Sequence, residues 1–103
     1  MCDTIDSKYI LVNYFMKHNR EISIANLKRI RNRIEKRLPS VMVDISYLSI
    51  SSAIDTYPRL FTWNNDSIVK AKGAETYFND DYISNEFNKR LPVGIRNRML
   101  QLL

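Results

Sequence analysis

Residues 28 to 37 hold the densest chemistry in the sequence: Lys28, Arg29, Arg31, Arg33, Lys36 and Arg37 stand against Glu35 alone. A guanidinium offers paired donors that match the oxygens of a phosphate, and an ammonium adds a compact charge, so the run suits a polyanion. Arg29, Arg33 and Lys36 recur at helical spacing and share a face from which their charged ends can reach successive phosphates. The charge of this run equals the net charge of the whole chain, +5. An opposite block lies at 73 to 88, where Glu75, Asp80, Asp81 and Glu86 occur without a Lys or Arg. The ordinary role of a charge run, a solvated face that keeps a protein soluble, stands beside the functional one.

Other chemistries lack their parts. His18 is the only histidine and Cys2 the only cysteine, so the usual tetrahedral ligand sets cannot be assembled and no metal is expected. A nucleophile triad would have to use His18, which reads instead as the polar end of a helix. Gly73 and Gly94 are the only glycines, too few for a phosphate-cradling loop. Asp80 and Asp81 precede Tyr82 and Ile83 as helix-capping acids do. The expectation is a protein that is not an enzyme and takes no cofactor. A lone cysteine also excludes an internal disulfide and points to an intracellular compartment, cytoplasm or nucleus. The longest apolar runs, Tyr9 to Val12 and Val41 to Val43, are far shorter than the roughly 20 residues that span a bilayer.

These side chains must be carried by one core. A chain of 103 residues, 45% hydrophobic and 26% charged, has the length and composition of one soluble domain, residues 1–103. A first helix is expected over Ser7 to His18, capped by Asp6 or Ser7, followed by a turn or short extended stub at Glu21 to Ser23. The second helix has the clearest pattern: Ile24, Leu27, Ile30, Ile34 and Leu38 fall on one stripe, Ser23 caps it, and Pro39 ends it. After a connector from Pro39 to Val43, Asp44 or Ser46 caps a third helix through Tyr47, Ile50, Ile54 and Tyr57, stopped by Pro58. Leu60 to Trp63, the turn Asn64 to Asp66, and Ser67 to Ala71 form a β-hairpin signature closed by Gly73. From Ala74 the pattern is helical again, with Tyr82, Ile83, Phe87 and Leu91 on one face before Pro92 and a final short helix from about Val93. The repeated segments Lys36 to Pro39 and Lys89 to Pro92 read as helix ends finished by cations, Leu and Pro.

Helix, stub, two helices and a hairpin, from about Asp6 to Gly73, resemble in order the winged-helix branch of the helix-turn-helix proteins. The resemblance implies a mainly α fold with a small β-hairpin: a three-helix core at 6–73 and a C-terminal helical extension at 74–103. It implies that the stub pairs with the hairpin, that the third helix is the recognition helix, and that Asn64 to Asp66 is the wing. The third helix departs from a base reader, because Arg, Lys, Asn and Gln are absent between Asp44 and Tyr57. The function expected is nucleic-acid binding, to double-stranded DNA, in transcription regulation or a replication or packaging assembly. Lys28, Arg29, Arg31, Arg33, Lys36, Arg37, Lys70 and Lys72 would contact phosphates, with Ser46, Tyr47, Ser49 and Ser52 against the groove. The alternative is a protein-interaction module whose basic helix meets an acidic protein partner. Phe61 and Trp63 fall on one side of the first hairpin strand, suited to packing on the helices, with base stacking the other use. A homodimer is expected through the stripe Ile95, Met99 and Leu102, with no membrane partner.

Overall fold

The computed structural model describes residues 3–103; Cys2, the one cysteine, lies outside the described residues. The element at the centre is α1 (Ser7–Lys17), in which Ile10, Leu11, Val12, Asn13, Tyr14 and Phe15 are buried in succession. A helix covered on all sides has no amphipathic stripe, which is why its sequence shows only loose helical spacing. Phe15 meets Phe61 and Phe78 with ring centroids 6.4 and 6.1 Å apart, tying the helix to the hairpin and to the chain beyond it.

Two strands that flank α1 and α2 form a parallel pair. β1 (Asp3–Asp6) lies beside β3 (Val41–Asp44) in a register from Asp3 opposite Val41 to Asp6 opposite Asp44. Ile5, Val41 and Val43 face the core, while Met42 between the two valines is exposed, the alternation of a half-buried strand. Between them run β2 (Ile22–Ser23) and α2 (Ile24–Arg37). Leu27, Ile30 and Ile34 of α2 are buried as the stripe requires, and the Ser23 hydroxyl accepts from Asn26 N at 3.1 Å. The Glu35 carboxylate accepts from Val43 N at 2.8 Å, so a side chain of α2 satisfies a donor of the adjoining strand.

α3 (Tyr47–Thr56) is capped by Ser46, whose hydroxyl accepts from Ser49 N at 3.2 Å. β4 (Phe61–Asn64) and β5 (Ser67–Lys70) form the hairpin, and Asn65 takes the positive φ of 56° that the tight turn needs. Ile22 and Ser23 pair antiparallel with Ile68 and Ser67, giving a second sheet in the order β2-β5-β4. Gly73, at φ 80°, turns the chain into a 3₁₀ turn at Ala74–Tyr77. α4 (Asp80–Glu86) and α5 (Val93–Gln101) follow. Ile83, Phe87, Leu91 and Met99 enter the same core as the first three helices. Asn13 and Asn88 are buried and exchange amide hydrogen bonds of 2.8 and 3.0 Å, the polar clasp between α1 and this last segment.

The expected mainly α fold with one small hairpin and a winged-helix-like three-helix core is therefore corrected. The chain is an α/β domain with five α-helices and five strands in two sheets among the described residues. The parallel pair is what the sequence did not announce. β1 has a single buried apolar residue, Ile5, and Asp6 reads as a helix cap. β3 follows Pro39 closely enough to pass for a connector. Strands of four residues with such short alternation become strands only because each supplies the other's hydrogen bonds. Among the described residues no helix is long and apolar enough to cross a membrane.

Candidate nucleic-acid interface

The buried stripe of α2 divides its cations into two flanks. Arg29 and Arg33, with Asn26, run along one edge of the stripe; Lys28 and Arg31 run along the other, and Lys36 and Arg37 are exposed near the end of the helix. The separation follows from the helical repeat of 3.6 residues, which alternates the members of a dense run between the two sides of a core-facing stripe.

On the first flank a cleft of about 580 Å³ is lined by Tyr14, His18, Arg20, Asn26, Arg29 and Arg33. The hydrogen bonds of these guanidinium groups go to neutral oxygens: Arg29 to Asn26 Oδ1 at 3.1 Å, Arg33 to the Leu102 carbonyl at 2.9 Å, and Arg20 Nε to the Tyr14 hydroxyl at 3.3 Å. Their positive charge is thus not cancelled by these partners. Arg20 also lines a neighbouring cleft with Asn19 and Lys70, and Lys70 Nζ donates to Asn19 Oδ1 at 3.4 Å. Arg20 therefore links the cations of α2 to the hairpin cation, a connection hidden by its isolation in sequence. Two acids stand among these bases: Glu21 lines both clefts, with its Oε2 accepting from Asn64 Nδ2 at 3.0 Å, and Glu75 lines the hairpin cleft.

On the second flank a cleft of about 380 Å³ brings Lys28 and Arg31 to the start of α3, where Asp44, Ser46 and Tyr47 form the facing wall. Tyr47 is 75% exposed and stacks on Trp63 of β4, with ring centroids 5.6 Å apart and planes 22° from parallel. Asp44 is the acid here. Its Oδ1 accepts from Ser46 N at 3.0 Å and from Ser46 Oγ at 2.8 Å, which holds the turn into α3.

The remaining expected contacts separate into free and engaged residues. Ser52 and Lys72 are exposed. Ser49 is engaged: its hydroxyl lies 2.9 Å from that of Ser7 and donates to the Asp44 carbonyl at 3.1 Å. Lys70 is half-buried, and its Nζ lies over the Phe78 ring, 5.0 Å from the centre, so the ammonium is engaged by an aromatic face as well as by Asn19. In the C-terminal stripe Met99 is fully buried in the chain's own core, and Ile95 and Leu102 pack against that core. Burial, followed by the Glu86 carboxylate, pushes the Tyr82 phenol above its ordinary value of 10.0. This belongs to the docking of α4.

Sequence reasoning missed Arg20 and, while keeping packing and base stacking both open for Trp63, missed that Tyr47 stacks on it. The signal for Trp63 was its position on a hairpin strand next to an Asn/Asp turn; nothing in the sequence signalled Arg20, since its neighbours come from α2 and β5. No family model, curated protein or solved structure matches the chain.

Proposed function

We propose that this protein binds DNA through the phosphate backbone, using Arg20, Arg29 and Arg33 with Lys70 as a continuous cationic track. The observation that carries the reading is the bridging position of Arg20, which lines both the α2 cleft and the hairpin cleft. Cations from α2, the loop before β2 and β5 thus line two adjoining clefts that share Arg20, an arrangement that suits a chain of phosphates. Arg and Lys placed this way fix register on a nucleic acid without reading its sequence. The short hydroxyls of α3 agree with that division of labour, since Ser46 and Ser52 carry neither a cation nor the paired donors and acceptors of a base reader.

A second reading is favoured by a separate observation. Leu48 is 79% exposed next to Tyr47 on α3, and an apolar surface of this kind suits an acidic protein partner engaged by the basic helix.

Fluorescence anisotropy of a random-sequence duplex, titrated at several salt concentrations, separates the two. Phosphate contacts release counterions, so affinity should fall steeply with salt, and replacing Arg20, Arg29 and Arg33 together with Ala should flatten the log–log slope by about 2 to 3. Undetectable binding of both a duplex and a single strand at low salt, or a slope unchanged by the triple substitution, would remove this track from DNA binding and leave the protein-partner reading.

A further inference from the structure

The second flank of α2 differs from a plain phosphate track because an aromatic stack is built beside it. Trp63 is half-buried and packs against the core, so it is a fixed support. Tyr47 lies on that support and presents most of its surface to water. The adjacent Asp44 and Ser46 are tied to each other, and Ser46 caps the helix that begins at Tyr47, so the ring is placed by a rigid turn. Lys28 and Arg31 stand across the same cleft. A positively charged groove beside a fixed aromatic face is the pairing that single-stranded nucleic acid requires: cations track the backbone and each unpaired base offers a π-face. Along the body of a duplex the ring finds no free face, because each base pair is already stacked on both sides by its neighbours.

We propose that the cleft between α2 and α3 is a single-stranded DNA subsite, in which an unpaired base stacks on Tyr47 while Lys28 and Arg31 hold the adjoining phosphates. The exposed face of Tyr47 receives the base, and Trp63 backs the ring from the other side. The Asp44 carboxylate faces the same cleft, and the hydrogen bonds it accepts from Ser46 draw it toward the turn. This inference rests on the DNA-binding reading and adds to it the form of DNA preferred.

The test uses the full chain and end-labelled probes of equal length: an oligothymidylate strand, an abasic strand with the same phosphates, and a blunt duplex. Anisotropy at one fixed salt concentration should show the thymidylate strand bound about tenfold to a hundredfold more tightly than the abasic strand, the range set by stacking of one base. The thymidylate strand should also be preferred to the duplex. Tyr47→Ala should abolish the preference for bases while leaving abasic affinity unchanged, and Tyr47→Phe should preserve it. Leu48→Ala, an equally exposed neighbour, should preserve it as well, and thermal melting followed by circular dichroism verifies that each variant is folded. Replacing Lys28 and Arg31 together with Ala should weaken the thymidylate and abasic strands alike.

Equal binding of base-bearing and abasic strands, a duplex preference, or a base preference that survives Tyr47→Ala would overturn the subsite. In each of those cases salt-sensitive binding would still support the phosphate track. Failure of all three probes to bind at low salt would overturn both proposals.

Discussion

The two flanks of α2 carry the same kind of charge and meet different neighbours. Arg29 and Arg33 face a cleft walled by His18 and Arg20, with the backbone carbonyl of Leu102 held by Arg33. Lys28 and Arg31 face the first turn of α3 and an exposed aromatic stack. Both flanks offer charge; the second sets it beside a ring that is 75% exposed and seated on Trp63, whereas Tyr14 on the first flank is buried. The difference teaches that a basic run read along a helix is not one site, because the core stripe separates its members and the facing elements decide what each group can bind.

The most damaging way to break the comparison is to remove what both flanks share. Leu27, on the buried face of α2, is fully buried, and Leu27→Ala should cost about 2 to 5 kcal/mol, the usual penalty for a truncated core leucine. Urea unfolding should show the midpoint shift, and binding through both flanks should fall with the folded fraction.

A substitution in the clasp acts on one side. Asn88→Ala removes both amide bonds to Asn13 and leaves Asn13 Oδ1 buried without that donor, at an expected cost of about 1 to 3 kcal/mol. The segment it anchors includes Leu102, the partner of Arg33, so the first flank should loosen while the aromatic flank keeps its geometry. Hydrogen exchange should accelerate across α5 more than across α3; equal acceleration in both would mean that the clasp stabilises the domain as a whole.

The smallest effect belongs to the other flank. Ser46→Ala deletes the cap of α3 and should cost about 1 kcal/mol, within the range for a lost N-cap. It also removes one of the two hydrogen bonds that Asp44 Oδ1 accepts from residue 46, leaving the one from the backbone N–H. Tyr47 should lose order on Trp63, which near-ultraviolet circular dichroism and the fluorescence of the sole tryptophan would report. An unchanged aromatic signal would show that packing on Trp63, and not the cap, positions the ring.

Several parts of this arrangement were legible in the linear chain. Ile24, Leu27, Ile30, Ile34 and Leu38 announced α2 because a helix buried on one face leaves its period in the sequence, and Ser23 and Pro39 marked its ends. The Asn-rich turn between two β-branched and aromatic stretches announced the hairpin for the same reason: local conformational preference agreed with burial. Helix α1 was harder, since burial on every side erases the period. The joining of β1 to β3 was not legible, because neither four-residue segment favours a strand strongly enough alone and their partnership spans α1, β2 and α2.

The site followed the same division. Sequence by itself determined which groups carry charge, that α2 presents them beside an apolar stripe, and that α3 lacks the side chains that read bases in a groove. Those properties are local, set by residue type and by the helical repeat. Only the tertiary structure decided that Arg20 stands between α2 and the hairpin, that Met99 is spent in the chain's own core, and that Tyr47 rests on Trp63 opposite Lys28 and Arg31. Such neighbours are brought together by the burial of α1 and the pairing of distant strands, and an interaction between residues far apart in the chain has no periodicity to betray it.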